Sequence, residues 1–251
     1  MFELNNLTEY KQYLEDQPIQ GLDKMKSEGM IPLSFAGIMQ RRLEVWNASA
    51  DLFNSWNKQM YLTGDAIAYN PDGGVKIVLD YEPDHQAKRI DGAIIINKEK
   101  YDALEGLELT LEEVRKYATI TALSKEKVMK NIFWRTLARG DELLKAYVDA
   151  LNPIADEYKD GNIMRVYIEI QGFLQHEELT EKYYVRPWLI GDIKECRAFG
   201  LNDYETRMPL IGIPKSYEIH TPRKPDMSKK KLIEDANTKL TEVITMMHNN
   251  L

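Results

Sequence analysis

One cysteine and four histidines among 251 residues leave too few thiolates and imidazoles for a zinc finger or a ferredoxin-like site. The lone Cys196 cannot close an internal disulfide, so a disulfide-stapled secreted scaffold is excluded and a reducing compartment is expected. No stretch reaches the roughly 18 to 20 apolar residues that cross a bilayer. The opening Met1-Phe2-Glu3-Leu4 has no basic region running into an apolar one, so a cleavable signal is not expected either. Three motifs are also missing. There is no Gly-x-Gly-x-x-Gly fingerprint, no Walker phosphate loop and no Gly-x-Ser-x-Gly elbow, which argues against classical dinucleotide redox enzymes, P-loop hydrolases and α/β-hydrolases.

What is present describes a globular chain: 43% hydrophobic, 29% charged, net charge -7 from 33 basic and 40 acidic residues. That balance speaks against indiscriminate phosphate binding. The charge is uneven. Residues 222–251 hold six basic and four acidic groups, net +2, which leaves -9 on residues 1–221. The chain is therefore divided into a main domain over 1–221, with 107–161 as a candidate helical subdomain, and a basic linker with a terminal helix over 222–251.

Hydrophobic spacing supplies the elements. Leu7, Tyr10, Tyr13 and Leu14 predict a short helix over 6–16, followed by a connector over 17–33 that carries Pro18, Gly21, Gly29 and Pro32. Phe35, Ile38, Leu43, Trp46, Phe53 and Trp56 mark one face of a long helix from Ser34 to Met60. Tyr61–Tyr69 and Val75–Asp80 flank Asn70-Pro71-Asp72-Gly73-Gly74 and predict a hairpin. Ile90–Ile96 predicts a covered strand before a short helix. From Leu109 to Gly161 helices predominate, opened by Thr110 with Glu113, by Ser124 and by Asp141, and divided at Gly140, Pro153 and Gly161. Residues 163–170 alternate with period two, with Met164, Val166, Ile168 and Ile170 on one side and Arg165, Tyr167 and Glu169 on the other. Tyr183–Ile190, Leu210–Ile213 and Tyr217–His220 add strands. The fold class is α+β, a mixed or antiparallel sheet packed against helices, with the long helix in the N-terminal half and an amphipathic helix at the C-terminus.

Three constellations could carry function. Asp80, Glu82, Asp84 and His85 follow the second hairpin strand, and with Glu169 they could hold Mg or Mn, with His85 or Glu169 moving a proton, in a phosphodiesterase or nuclease. Acidic residues after a strand more often form a solvated loop, and Pro83 interrupts their spacing. Arg41 and Arg42 beside Trp46, and Arg223, Lys224, Lys229, Lys230 and Lys231 near the terminal helix, could track phosphates in a nucleic-acid module. Their bland alternative is a solubilising surface, as Trp56, Trp134 and Trp188 read best as core. Finally Leu232, Ile233, Ala236, Leu240, Val243, Ile244 and Met247 form an apolar stripe suited to a partner helix. The leading expectation is a noncatalytic protein-interaction or assembly protein, with a protein partner or a second copy, no membrane and no cofactor called for. A cytoplasmic or other reducing intracellular location follows from the cysteine usage. Cys196 with His176 or His220 is a weaker nucleophilic pair than a buried, unused thiol.

Overall fold

The sheet is organised by two long strands, β3 (Tyr61–Tyr69) and β10 (Tyr183–Ile190), which pair antiparallel along most of their length. In the computed structural model, which describes residues 10–84, 86–157, 164–168, 179, 181–193, 196–200 and 207–215, all of β3 is buried. It is covered on both faces, so residues of both parities lie in the interior, Thr63 and Asp65 included. Pro187 cannot donate to the ladder, and the register shifts between Pro187 and Leu189.

Each end of this central pair carries its own flank. At the Leu62 and Ile190 end, β3 meets β12 (Leu210–Pro214) in parallel, and β10 meets β11 (Arg197–Phe199) antiparallel. Beyond β12 lie β1 (Lys11–Tyr13) and β2 (Met30–Pro32); beyond β11 lie β9 (Met164–Tyr167), parallel to it, and then β8 (Thr119–Leu123). At the Tyr69 and Tyr183 end, β3 pairs with β4 (Val75–Val78), itself paired with β7 (Leu107–Leu109), while β10 pairs with β6 (Ala93–Ile96) and through it β5 (Arg89–Ile90). The result is a mixed sheet, twelve strands among the described residues, in an α+β protein.

Alternation along β3 sorts the two cores. Ile67 and Tyr69 face a layer of Trp188 from β10 with Phe35, Ile38, Phe133, Trp134 and Tyr147, brought by α2 (Phe35–Glu44), α7 (Ile132–Leu137) and α8 (Asp141–Glu157). Ala66 and Ala68 face the opposite way, toward Ile19, Leu22 and Met25 of α1 (Pro18–Ser27). Local chemistry sets the helix starts: Ser34 accepts from the Gly37 amide, Thr110 and Glu113 form a reciprocal box at α5 (Leu111–Tyr117), and Asn131 accepts from the Phe133 and Trp134 amides.

Several expectations are corrected. The helix expected from Ser34 to Met60 is two, α2 and α3 (Ala50–Asn57), because Ser49 caps a new start by accepting from the Leu52 amide. Residues 11–13, expected as helix, form β1 because they pair with Leu210–Gly212. The expected connector holds α1, which Pro18 opens in a first turn where no amide is needed, and β2. The helical stretch after Leu109 also carries β8, between α5 and α6 (Lys125–Lys130), and α8 runs through Pro153 instead of ending there. The short helix after the isoleucines is α4 (Lys98–Ala103). The proposed Tyr217–His220 strand and the terminal helix lie outside the described residues. No described helix is long and apolar enough to cross a membrane.

Candidate functional site

The acidic group after the hairpin is split by the fold. Asp80, at φ 52°, turns its carboxylate toward Arg139, whose Nη1 and Nη2 donate to it at 3.0 and 2.5 Å. Arg139 Nη2 also donates to Asp65 at 2.7 Å, and Asp65 accepts from the Phe35 and Asp80 amides at 2.8 and 2.9 Å. Burial pushes the Asp65 carboxyl up, while Arg139 pulls against it. Glu82 and Asp84 face solvent, and Asp84 accepts from Lys100 Nζ at 3.0 Å, which holds its carboxyl below the usual range. His85 and Glu169 lie outside the described residues. Among the described residues no three His, Cys, Asp or Glu side chains are grouped to hold a metal ion.

Arg41 and Arg42 were expected on a solvent-facing surface; both are interior. Arg42 donates to the Trp56 carbonyl at 2.9 Å, the Tyr147 hydroxyl at 3.0 Å and the Gln59 carbonyl at 2.8 Å. Arg41 pairs with Glu44 at 3.0 Å and lies over the rings of Tyr10 and Trp56. With Arg42 bonded to three interior oxygens and Arg41 held by Glu44 and two rings, both side chains are interior packing elements and not an open phosphate-tracking surface. Trp56, Trp134 and Trp188 are core residues as expected. Cys196 is fully buried near Tyr147, and burial pushes its thiol up to about 12, which makes it a poor nucleophile. Arg223, Lys224, Lys229, Lys230, Lys231 and the stripe from Leu232 to Met247 lie outside the described residues.

An open hollow of about 560 Å³ lies between the hairpin loop and β7, lined by Asn70, Asp72, Gly74, Glu108 and Thr110. Two of its polar groups are engaged locally: Asn70 Oδ1 accepts from the Gly74 amide, and Thr110 belongs to the helix cap.

A better-organised surface lies on the flank formed by β9 and β11. Their parallel register sets Arg165 opposite Arg197, Val166 opposite Ala198 and Tyr167 opposite Phe199. Val166 and Ala198 are buried, as is Met164, so the other parity places Arg165, Tyr167, Arg197 and Phe199 together on a half-buried face. The Tyr167 and Phe199 rings stack at 5.2 Å and 15°, and the Arg197 guanidinium lies 5.3 and 5.6 Å from their centroids. The Arg165 amide donates to the Cys196 carbonyl at 2.9 Å and the Gly200 amide to the Tyr167 carbonyl at 2.8 Å, so the backbone under the four side chains is fixed. The alternation around Arg165 and Tyr167 is legible in the sequence. Arg197 and Phe199 carry no such signal, because β11 has three residues, too few for an alternation to show.

No protein-family model and no curated protein matches the chain. Among solved structures, one described as "Accommodation of massive sequence variation in Nanoarchaeota by the C-type lectin fold" superposes with a TM-score of 0.61 at 12% sequence identity, covering 83% of this chain and 99% of that one. The likeness is one of fold: the architecture described above is similar to a C-type lectin fold, reached with little shared sequence.

Proposed function

We propose that the protein is a noncatalytic interaction or assembly protein, and that the β9 and β11 face is its contact surface. The observation that carries this is the pairing of two arginines and two stacked aromatics in register on a fixed backbone. Arginine and the aromatics are the side chains enriched where protein contacts concentrate their energy, because each offers large area and directional bonding at a modest entropy cost. The fold likeness is compatible with the reading: the structure it superposes on is described as accommodating massive sequence variation by the C-type lectin fold. The basic tail and its stripe from Leu232 to Met247 are proposed to join copies of the chain or to seat a partner helix.

A photocrosslinking residue at position 167, compared with one at exposed position 115 on α5, tests the face in extract of the source cells, alongside sedimentation of the full chain and of a truncation ending at 221. Discrete adducts from position 167 alone, abolished by Arg165→Gln with Arg197→Gln, are expected, as is assembly that the truncation removes without loss of folding. A monomeric chain with the same adducts from both positions would sink the reading.

A further inference from the structure

The β1 segment is clipped to the margin of the sheet by contacts made from residues 10–13. It pairs with β12 through Lys11 and Gly212, Gln12 and Ile211, and Tyr13 and Leu210. Tyr13 is buried in a slot that two glycines leave open: a Cβ on Gly212 would stand 2.8 Å from the Tyr13 ring, and one on Gly21 of α1 would stand 3.6 Å from the Tyr13 Cβ. At the mouth of the slot Glu28 accepts from the Tyr13 hydroxyl and, at 2.6 Å, from Lys11 Nζ. Tyr10 belongs to the other core, where it meets Trp56 edge to face at 5.3 Å. Ladder, slot and latch form a receptor for a strand of this sequence, whichever copy of the chain supplies it.

We propose that two copies of the chain trade these arms, residues 10–13 of each docking on β12 of the other. This deepens the assembly reading above and draws nothing from the β9 and β11 face. The hinge favours it. Leu14, Glu15, Asp16 and Gln17 alone join β1 to α1, and Pro18 holds Gln17 extended, at φ -124° and ψ 130°, so the fold-back falls on the few residues before it. A short hinge that resists its turn invites exchange, because the traded state keeps every closed contact and lets the hinge straighten. Leu14, within that hinge, is 45% exposed, and with Met60 it makes up the large hydrophobics that face solvent among the described residues. Two hinges passing each other at a two-fold axis bring the two copies' Leu14 side chains together and cover them. The occupant is a second copy rather than a foreign strand, because slot and latch already fit this chain's own Tyr13 and Lys11. Pairs made in this way persist in a truncation ending at 221, since larger assembly through the tail is a separate contact.

The test uses the full wild-type chain. Equal amounts of ordinary and heavy-nitrogen chain are unfolded in urea, refolded together and treated with a carbodiimide, which joins Lys11 Nζ to the Glu28 carboxylate across their 2.6 Å ion pair. Mass spectrometry then reads which copy supplied each half. Links of mixed mass are expected, confined to a dimer fraction that grows with protein concentration. Inserting a short glycine-serine stretch between Asp16 and Gln17 lets the arm close on its own chain and should cut the mixed links about tenfold while uniform ones remain. Pro18→Ala should lower them in the same direction, and circular dichroism should show both variants folded. Links of uniform mass alone in the wild type overturn the exchange. Mixed links that the insertion leaves unchanged overturn it too, since copies would then touch at this margin without trading arms. Uniform links beside discrete adducts from position 167 leave the contact face standing and remove the exchange; mixed links without those adducts do the reverse.

Discussion

Asp65 and Arg139, 74 positions apart in the chain, meet at 2.7 Å with side chains 0% and 2% exposed. The bond ties the centre of β3 to the residue just past α7, and Asp80 closes the arrangement from the end of the hairpin. Both Asp80 and Arg139 hold left-handed backbone, at φ 52° and 58°, a conformation that side chains other than glycine adopt when their surroundings demand it. The cluster that looked like metal chemistry in the sequence thus includes a residue that locks two layers together.

The two residues should be energetically coupled. Arg139→Met strands the buried Asp65 carboxyl and is expected to destabilise folding by about 3–5 kcal/mol, whereas Asp65→Asn leaves Arg139 its Asp80 partner and should cost less. The double variant should lose less than the sum. Urea unfolding of the four proteins in a double-mutant cycle gives the coupling, and additive losses would show that the pair is not linked.

Arg42 should behave as a packing residue. Arg42→Met leaves the Trp56 and Gln59 carbonyls and the Tyr147 hydroxyl without their donor, with an expected loss of about 3 kcal/mol. Arg42→Lys should recover little of it, because one ammonium cannot span three acceptors set in different directions. Arg115→Gln on exposed α5 should stay within about 0.5 kcal/mol of wild type. Thermal unfolding ranks the three.

Alkaline pH should unfold the protein from within. Burial pushes the Cys196 thiol up to about 12, and burial together with Asp84 does the same for the Tyr81 phenol. In the unfolded chain these groups ionise near about 8.5 and about 10. Between those values and about 12 the folded state holds more protons than the unfolded one, so stability is full below the unfolded values and declines as pH rises. The urea midpoint is expected to fall from neutral pH to about pH 10.5, and Cys196→Ala to flatten the first part of the decline. A midpoint constant over that range would contradict the burial of both groups.

Gly106→Ala should loosen β7. A Cβ there would sit 2.3 Å from the Ile77 carbonyl oxygen, a backbone atom that cannot yield without parting β7 from β4. A loss of about 1–3 kcal/mol is expected, with faster amide exchange at Leu107 and Leu109. Unchanged exchange would mean that the two strands adjust without separating.

The parts legible in the sequence were those whose causes are local. The hairpin is one: Gly73, at φ 80°, donates to the Asn70 carbonyl, and Asn70 closes the loop onto Gly74 by backbone and side chain. The Thr110 and Glu113 box is another. What stayed hidden depends on distant partners. Tyr10 and Tyr13 have helical spacing, yet residues 11–13 become strand because β12, some two hundred positions away, offers a ladder. Trp46 and Phe53 keep their helical period across the break between α2 and α3, because the two rings still meet edge to face at 5.5 Å. The candidate face divided in the same manner. Arg165 and Tyr167 announce themselves by alternation, whereas Arg197 and Phe199 acquire meaning only from a parallel register that no local pattern encodes.

The order of strands gives the molecule a direction. Along the sheet, β1 and β12 stand at one margin while β9 and β8 stand at the other, with the β3 and β10 pair between them. β12 ends at Pro214 beside the first margin, and the arginine-aromatic strip occupies the second. Copies joined along the first margin would display their strips outward, and a partner with two matching segments would find its second encounter already confined to a small volume, gaining avidity with no new contact.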